Sequence, residues 1–142
     1  MLKKTLFTIG LSAALAASTN VLADGLTLTS QGITSAIKAN CKSLSTQQPF
    51  SLPADMQPNS TITVPWFLIS VAFHFTPAVV CDFMLDDSTN KKLGTAEIDF
   101  NQSFNGAQIS NVRQYAANIY HVIVQPGLNT YSSNITVTLK KS

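Results

Sequence analysis

Between Val64 and Cys81 the chain reads VPWFLISVAFHFTPAVVC, eighteen residues without a charged side chain. A run this long and this apolar either crosses a membrane or forms the buried centre of a folded domain. A membrane helix would have to carry Pro65, His74 and Pro77 within or at the edge of its span, and no Lys or Arg flanks the run to anchor it. Taken at alternate positions, Phe67, Ile69, Val71, Phe73 and Phe75 fall on one side, all large and apolar. Trp66, Leu68, Ser70, Ala72 and His74 make a mixed second side. The β-branched and aromatic content points the same way. Two buried strands are therefore expected, 61–75 and 78–86, broken at Thr76 and Pro77, with no transmembrane span in the mature chain.

The first 23 residues have the pattern of an export signal. MLKK is a positive start, TLFTIGLSAALAA an apolar stretch, and STNVLA a close on small residues, with cleavage expected between Ala23 and Asp24. About 13 apolar residues are too few to span the hydrocarbon core. Export to the periplasm or the extracellular space follows, and the Lys-Lys start has a bacterial pattern. Removing residues 1–23 from the 142 leaves 119, the length of one domain with one core. Lys3 and Lys4 leave with the signal, so the mature chain has seven basic residues against seven acidic ones. Lys38, Lys42, Lys91, Lys92, Arg113, Lys140 and Lys141 are scattered and make no stripe, which argues against nucleic acid as a partner.

Two cysteines remain, Cys41 and Cys81. In an oxidising compartment, an even pair in a small domain is expected to form a disulfide. A metal site would need more than two cysteines and two histidines spread over residues 41–121.

Short alternating runs separated by turn residues fill the rest of the chain. LTLT (26–29), STITV (60–64), GTAEIDF (94–100), QISNVR (108–113), NIYHVIV (118–124) and SNITVTL (133–139) read as strands. ITSAIKANC (33–41) fits a strand and a helix nearly equally, residues 45–60 read as a loop, and DDSTNKK as a turn. The expectation is one antiparallel β-sandwich of seven or eight strands over residues 24–142, immunoglobulin-like or jelly-roll-like, with a closed barrel as the neighbouring option. Trp66 lies 25 residues after Cys41 but only 15 before Cys81, which is not the immunoglobulin Cys-Trp-Cys spacing.

Candidate chemistry is sparse. His74 and His121 sit in alternating segments with no partner in sequence to orient them, and there is no G-x-S-x-G. Asp86, Ser88, Asn90 and Glu97 occupy the first, third, fifth and twelfth places of an EF-hand-like calcium loop. Lys91 stands where the sharp turn needs glycine, so a plain turn and no metal is the expectation. Asn59, Asn101 and Asn134 head N-x-S/T sequons, which mark polar surface loops. The expected function is non-enzymatic, without cofactor: a binding or structural module for an unknown protein or surface ligand. The binding patch is expected on Trp66, Leu68 and Ala72, the mixed side of the central run. A membrane-active or secreted effector is the alternative.

GLNTYSSNITVTL, at the end of the chain, resembles the C-terminal strand of spore-coat-U and fimbrial-subunit domains, where an aromatic after a small-residue turn leads into a Thr/Val strand. Cys41 after a first strand, followed by Cys81, is similar in order to those domains. The resemblance implies a pilin-like or spore-coat-like subunit of an assembled surface structure.

Overall fold

Where polar and apolar residues alternate, burial alternates with them. In the computed structural model, which describes residues 24–52 and 55–142, these segments form nine strands and one short helix; the expected signal segment, 1–23, lies outside the described residues. The strands are β1 (Gly25–Gln31), β2 (Ile37–Ser43), β3 (Pro49–Ser51), β4 (Thr61–Pro65), β5 (Ala78–Leu85), β6 (Lys92–Phe100), β7 (Ala107–Gln114), β8 (Tyr120–Gln125) and β9 (Asn134–Lys141). The helix, α1 (Trp66–Ala72), lies between β4 and β5.

Two sheets pack face to face, one in the order β4-β1-β9-β8, the other β3-β2-β5-β6-β7. Leu26, Leu28, Val64, Ile135, Val137 and Leu139 from the first sheet and Ile37, Val79, Phe83, Ile98 and Ile109 from the second are buried in one core. Burying each such side chain contributes roughly 1.5–3 kcal/mol, which makes this core the main source of stability. Cys41 and Cys81 stand directly opposite each other on β2 and β5 and are bonded as a disulfide, with both residues buried. The all-β sandwich with one disulfide is thus the observed fold.

The sheets are not wholly antiparallel. β1 runs parallel to β9, with Leu26 beside Ile135 and Leu28 beside Val137. Parallel neighbours need a long connection, and here nearly the whole domain lies between them. On the solvent face of this sheet threonines from β1, β4 and β9 align, with the Thr27 and Thr63 hydroxyls 2.8 Å apart and those of Thr29 and Thr61 3.2 Å apart. Such pairs tie neighbouring strands together. Residues 33–41 divide, with strand geometry beginning at Ile37, and the 45–60 segment contributes β3 and the buried Leu52 and Met56.

The expected strand 61–75 is corrected. It ends at Pro65, which brings no N–H to a ladder, and the chain then winds into α1. Trp66, Ile69, Ser70 and Phe73 are buried, a spacing of three and four that belongs to a helix. The helix closes with Phe75 N–H donating to the Ser70 carbonyl at 2.8 Å and His74 N–H to the Val71 carbonyl at 3.1 Å, the paired bonds of a Schellman motif. His74 takes the position after the cap with φ 52°, where glycine is usual. Among the described residues no helix is long and apolar enough to cross a membrane.

Candidate functional site

Helical winding turns Phe67, Leu68 and Val71 outward, and the turn that closes α1 does the same for Phe75. Phe67 is 72% exposed, Leu68 46%, Val71 48% and Phe75 56%. Beneath them the helix is held firmly. The Trp66 indole Nε1 donates to the Ser133 carbonyl at 2.8 Å, tying α1 to the entry of β9, and the indole meets Phe100 edge-on at 6.3 Å between ring centroids. Phe73 packs on Phe50 at 5.4 Å and Phe100 at 6.1 Å, while Phe75 contacts Phe104 edge-on at 5.4 Å. A supported ridge of apolar side chains in water, without a charged residue from 64 to 81, is a mark of an interaction surface.

Beside Phe67 lies an open groove of about 640 Å³ lined by Asp24, Pro65, Trp66, Phe67, Asn101, Asn105, Tyr131, Ser132 and Ser133. Four separate parts of the chain meet there: the entry to β1, the start of α1, the β6–β7 loop and the β8–β9 loop. The two loops are joined by reciprocal backbone bonds between Ala107 and Ser132, at 3.1 and 3.0 Å. Gly106 permits this approach, since a Cβ there would stand 2.8 Å from the Ser132 carbonyl oxygen. Asn101 Nδ2 donates to Asn105 Oδ1 at 2.7 Å, and Asn105 N–H returns a bond to Asn101 Oδ1 at 3.1 Å.

The expected patch of Trp66, Leu68 and Ala72 is divided by the helix. Leu68 is on the ridge, Trp66 is buried below it, and Ala72 is half-buried against the core. Phe67, Val71 and Phe75, assigned to the buried side of a strand, are instead outside. Pro65 followed by apolar residues at 66, 69 and 73 was the sequence signal for that arrangement.

The histidines are not brought into a catalytic arrangement. His74 is exposed with its ring edge-on to Phe50 at 5.4 Å, and His121 Nε2 lies 2.6 Å from the Ser142 hydroxyl. Among the described residues neither is hydrogen-bonded to a carboxylate, and no three His, Cys, Asp or Glu side chains are grouped to hold a metal ion.

Of the calcium-loop residues, Asp86 and Asn90 meet at a lysine, and Glu97 faces a partner on β7. Asn90 Oδ1 accepts from Lys38 Nζ at 2.9 Å, the same ammonium lies 3.9 Å from Asp86, and Glu97 sits well along β6, accepting from Asn111 at 2.8 Å. A lysine already serves the turn, and the twelfth-position carboxylate is on another part of the sheet. Asp86→Asn combined with Glu97→Gln is therefore expected to leave any calcium effect on thermal melting absent, as in the parent protein, with melts compared in EDTA and in millimolar calcium. A calcium-dependent rise of several degrees that the double variant loses would instead establish a calcium loop.

Two carboxylates respond to pH in opposite senses. Burial, reinforced by neighbouring Glu97, raises Asp99 above its ordinary 3.8. Its protonated form favours the fold, so this contribution is fully present below pH 3.8 and is lost as pH rises through the raised value. Hydrogen bonds from Thr89 and Ser35 lower Asp87, whose contribution is present above 3.8 and lost as pH falls. Asp99→Asn is expected to flatten the decline of stability above pH 3.8, measured by urea melts from acid to neutral pH. An unchanged decline would show that Asp99 is not its source.

No family model matches the chain, and no curated protein matches it. Fold and surface define the class: a disulfide-linked β-sandwich with a helical cap that presents apolar side chains.

Proposed function

We propose that this protein is an exported, non-enzymatic binding module that meets a protein partner with the α1 end of the sandwich. The observation that carries this is the exposed ridge of Phe67, Leu68, Val71 and Phe75. Fully buried centres of protein interfaces are depleted in charge and rich in aromatics, surrounded by a polar rim. The ridge has that composition, with Asn101, Asn105, Ser132 and Ser133 beside it. The disulfide supports an oxidising destination. A membrane-surface role is less well supported, because such surfaces usually pair apolar residues with Lys or Arg, and residues 64–81 supply none.

The triple variant Phe67→Ser, Val71→Thr and Phe75→Ser tests the proposal. Because these side chains are about half or more exposed and the edge contact of Phe75 with Phe104 is the one aromatic pairing lost, the variant is expected to stay folded and to keep its stability within about 2 kcal/mol of the parent. It is expected to lose the protein that co-purifies with the parent from the compartment into which it is exported. Undiminished co-purification would contradict the proposal.

A further inference from the structure

We infer that the groove beside Phe67 is a binding site for a neutral saccharide, an inference that rests on the proposed role of the α1 end as a binding surface. Its lining combines two chemistries. Phe67, 72% exposed, and Tyr131, 55% exposed, present aromatic surface from distant parts of the chain, while Trp66, buried and held by its bond to Ser133, borders the groove. A sugar ring offers a matching apolar face of C–H groups, and aromatic side chains supply large contact area with little conformational freedom to lose.

Amides and a carboxylate complete the groove. Asn101 spends one of its two amide donors on Asn105; among the described residues the second, the two of Asn105, and the Asp24 carboxylate have no side-chain partner and can meet hydroxyl groups, which both donate and accept. Among the described residues no Lys, Arg or His side chain lines the groove. In the signal-cleaved protein the one cation there would be the α-ammonium of Asp24, offset by that residue's own carboxylate, so the chemistry favours an uncharged polyhydroxylated ligand over a phosphate or nucleotide. Among the described residues a single carboxylate, that of Asp24, lines the groove, and its part in the proposal is to accept hydrogen bonds from sugar hydroxyls.

The groove is also preformed. The Ala107–Ser132 bonds and the Asn101–Asn105 pair hold its loops before any ligand arrives, which reduces the ordering cost of binding. The groove is open along its length and does not enclose a small ligand, a shape that suits a segment of a longer glycan.

Trp66 is the only tryptophan in the sequence and borders the groove, so its emission follows changes in the groove's surroundings even though the indole is buried, and calorimetry of the same titrations reads occupancy directly. The signal-cleaved protein is titrated with the hexasaccharides of cellulose, chitin, xylan, mannan and amylose. At least one is expected to shift the Trp66 emission saturably. Tyr131→Ala is expected to weaken that binding by about tenfold or more, Tyr131→Phe to retain it, and Lys42→Ala, on β2, to leave it unchanged. Both Tyr131 variants alter an exposed side chain, and their melting temperatures confirm the fold. A flat titration with all five sugars to millimolar concentration, or a response that Tyr131→Ala leaves intact, would overturn the saccharide assignment. Partner capture by the ridge is read separately, through co-purification, so failure of one proposal is distinguishable from failure of the other.

Discussion

Phe73→Ala is expected to destabilise the domain by about 3–5 kcal/mol, whereas Phe67→Ala is expected to change stability by no more than about 0.5 kcal/mol. The two residues have the same side chain and lie six positions apart in one apolar run. Phe73 has no exposed surface and touches the rings of Phe50 and Phe100, so truncation leaves a cavity where three aromatic rings meet. Phe67 projects into water from the opposite side of α1. A strand through residues 61–75 would put both on one buried side and give both a large effect. Urea midpoints of the two single variants decide the matter: comparable losses would contradict the helix.

Replacing Cys41 and Cys81 together by alanine is expected to lower stability by roughly 4 kcal/mol on the chain-entropy model, since the bridge closes a segment of 40 residues. For a domain of this size the melting temperature would fall on the order of 15 °C. Paired replacement leaves no unpartnered thiol, so the loss reflects the cross-link and the packing of two small buried side chains. Reduction of the parent protein should reproduce most of it. A double variant that melts within a few degrees of the parent would show that the β2–β5 pairing holds without its covalent link.

What was legible in the sequence was whatever a local period or a count encodes. LTLT, GTAEIDF and NITVTL alternate cleanly, and β1, β6 and β9 follow them. The disulfide followed from having two cysteines behind a segment with the pattern of an export signal. The 66–75 segment failed because only Ser70 and His74 are polar there, so nearly every position is apolar and a period of two cannot be told from one of 3.6. Pro65 was the discriminating residue, and a proline at a strand end is also a helix beginning. The parallel pairing of β1 and β9 was hidden for another reason: alternation says which face a side chain takes, not which strand lies beside it. β3, at three residues, is too short to carry a period. The groove could not be read at all, because Asp24, Phe67, Asn101 and Tyr131 come from four distant segments and form no motif.

Photo-crosslinking at single positions tests the central claim, that the α1 end is the contact surface, most directly. Benzoylphenylalanine is placed in turn at positions 67, 71 and 75 on the ridge, and at positions 40 and 95 on the outer face of the second sheet, and the cells that produce the protein are irradiated together with their medium. Asn40 and Thr95 lie on β2 and β6, in strands that carry no part of the ridge. The predicted result is one adduct of the same mass from all three ridge positions and none from positions 40 and 95. Adducts from positions 40 and 95 with none from 67, 71 or 75 would contradict the claim.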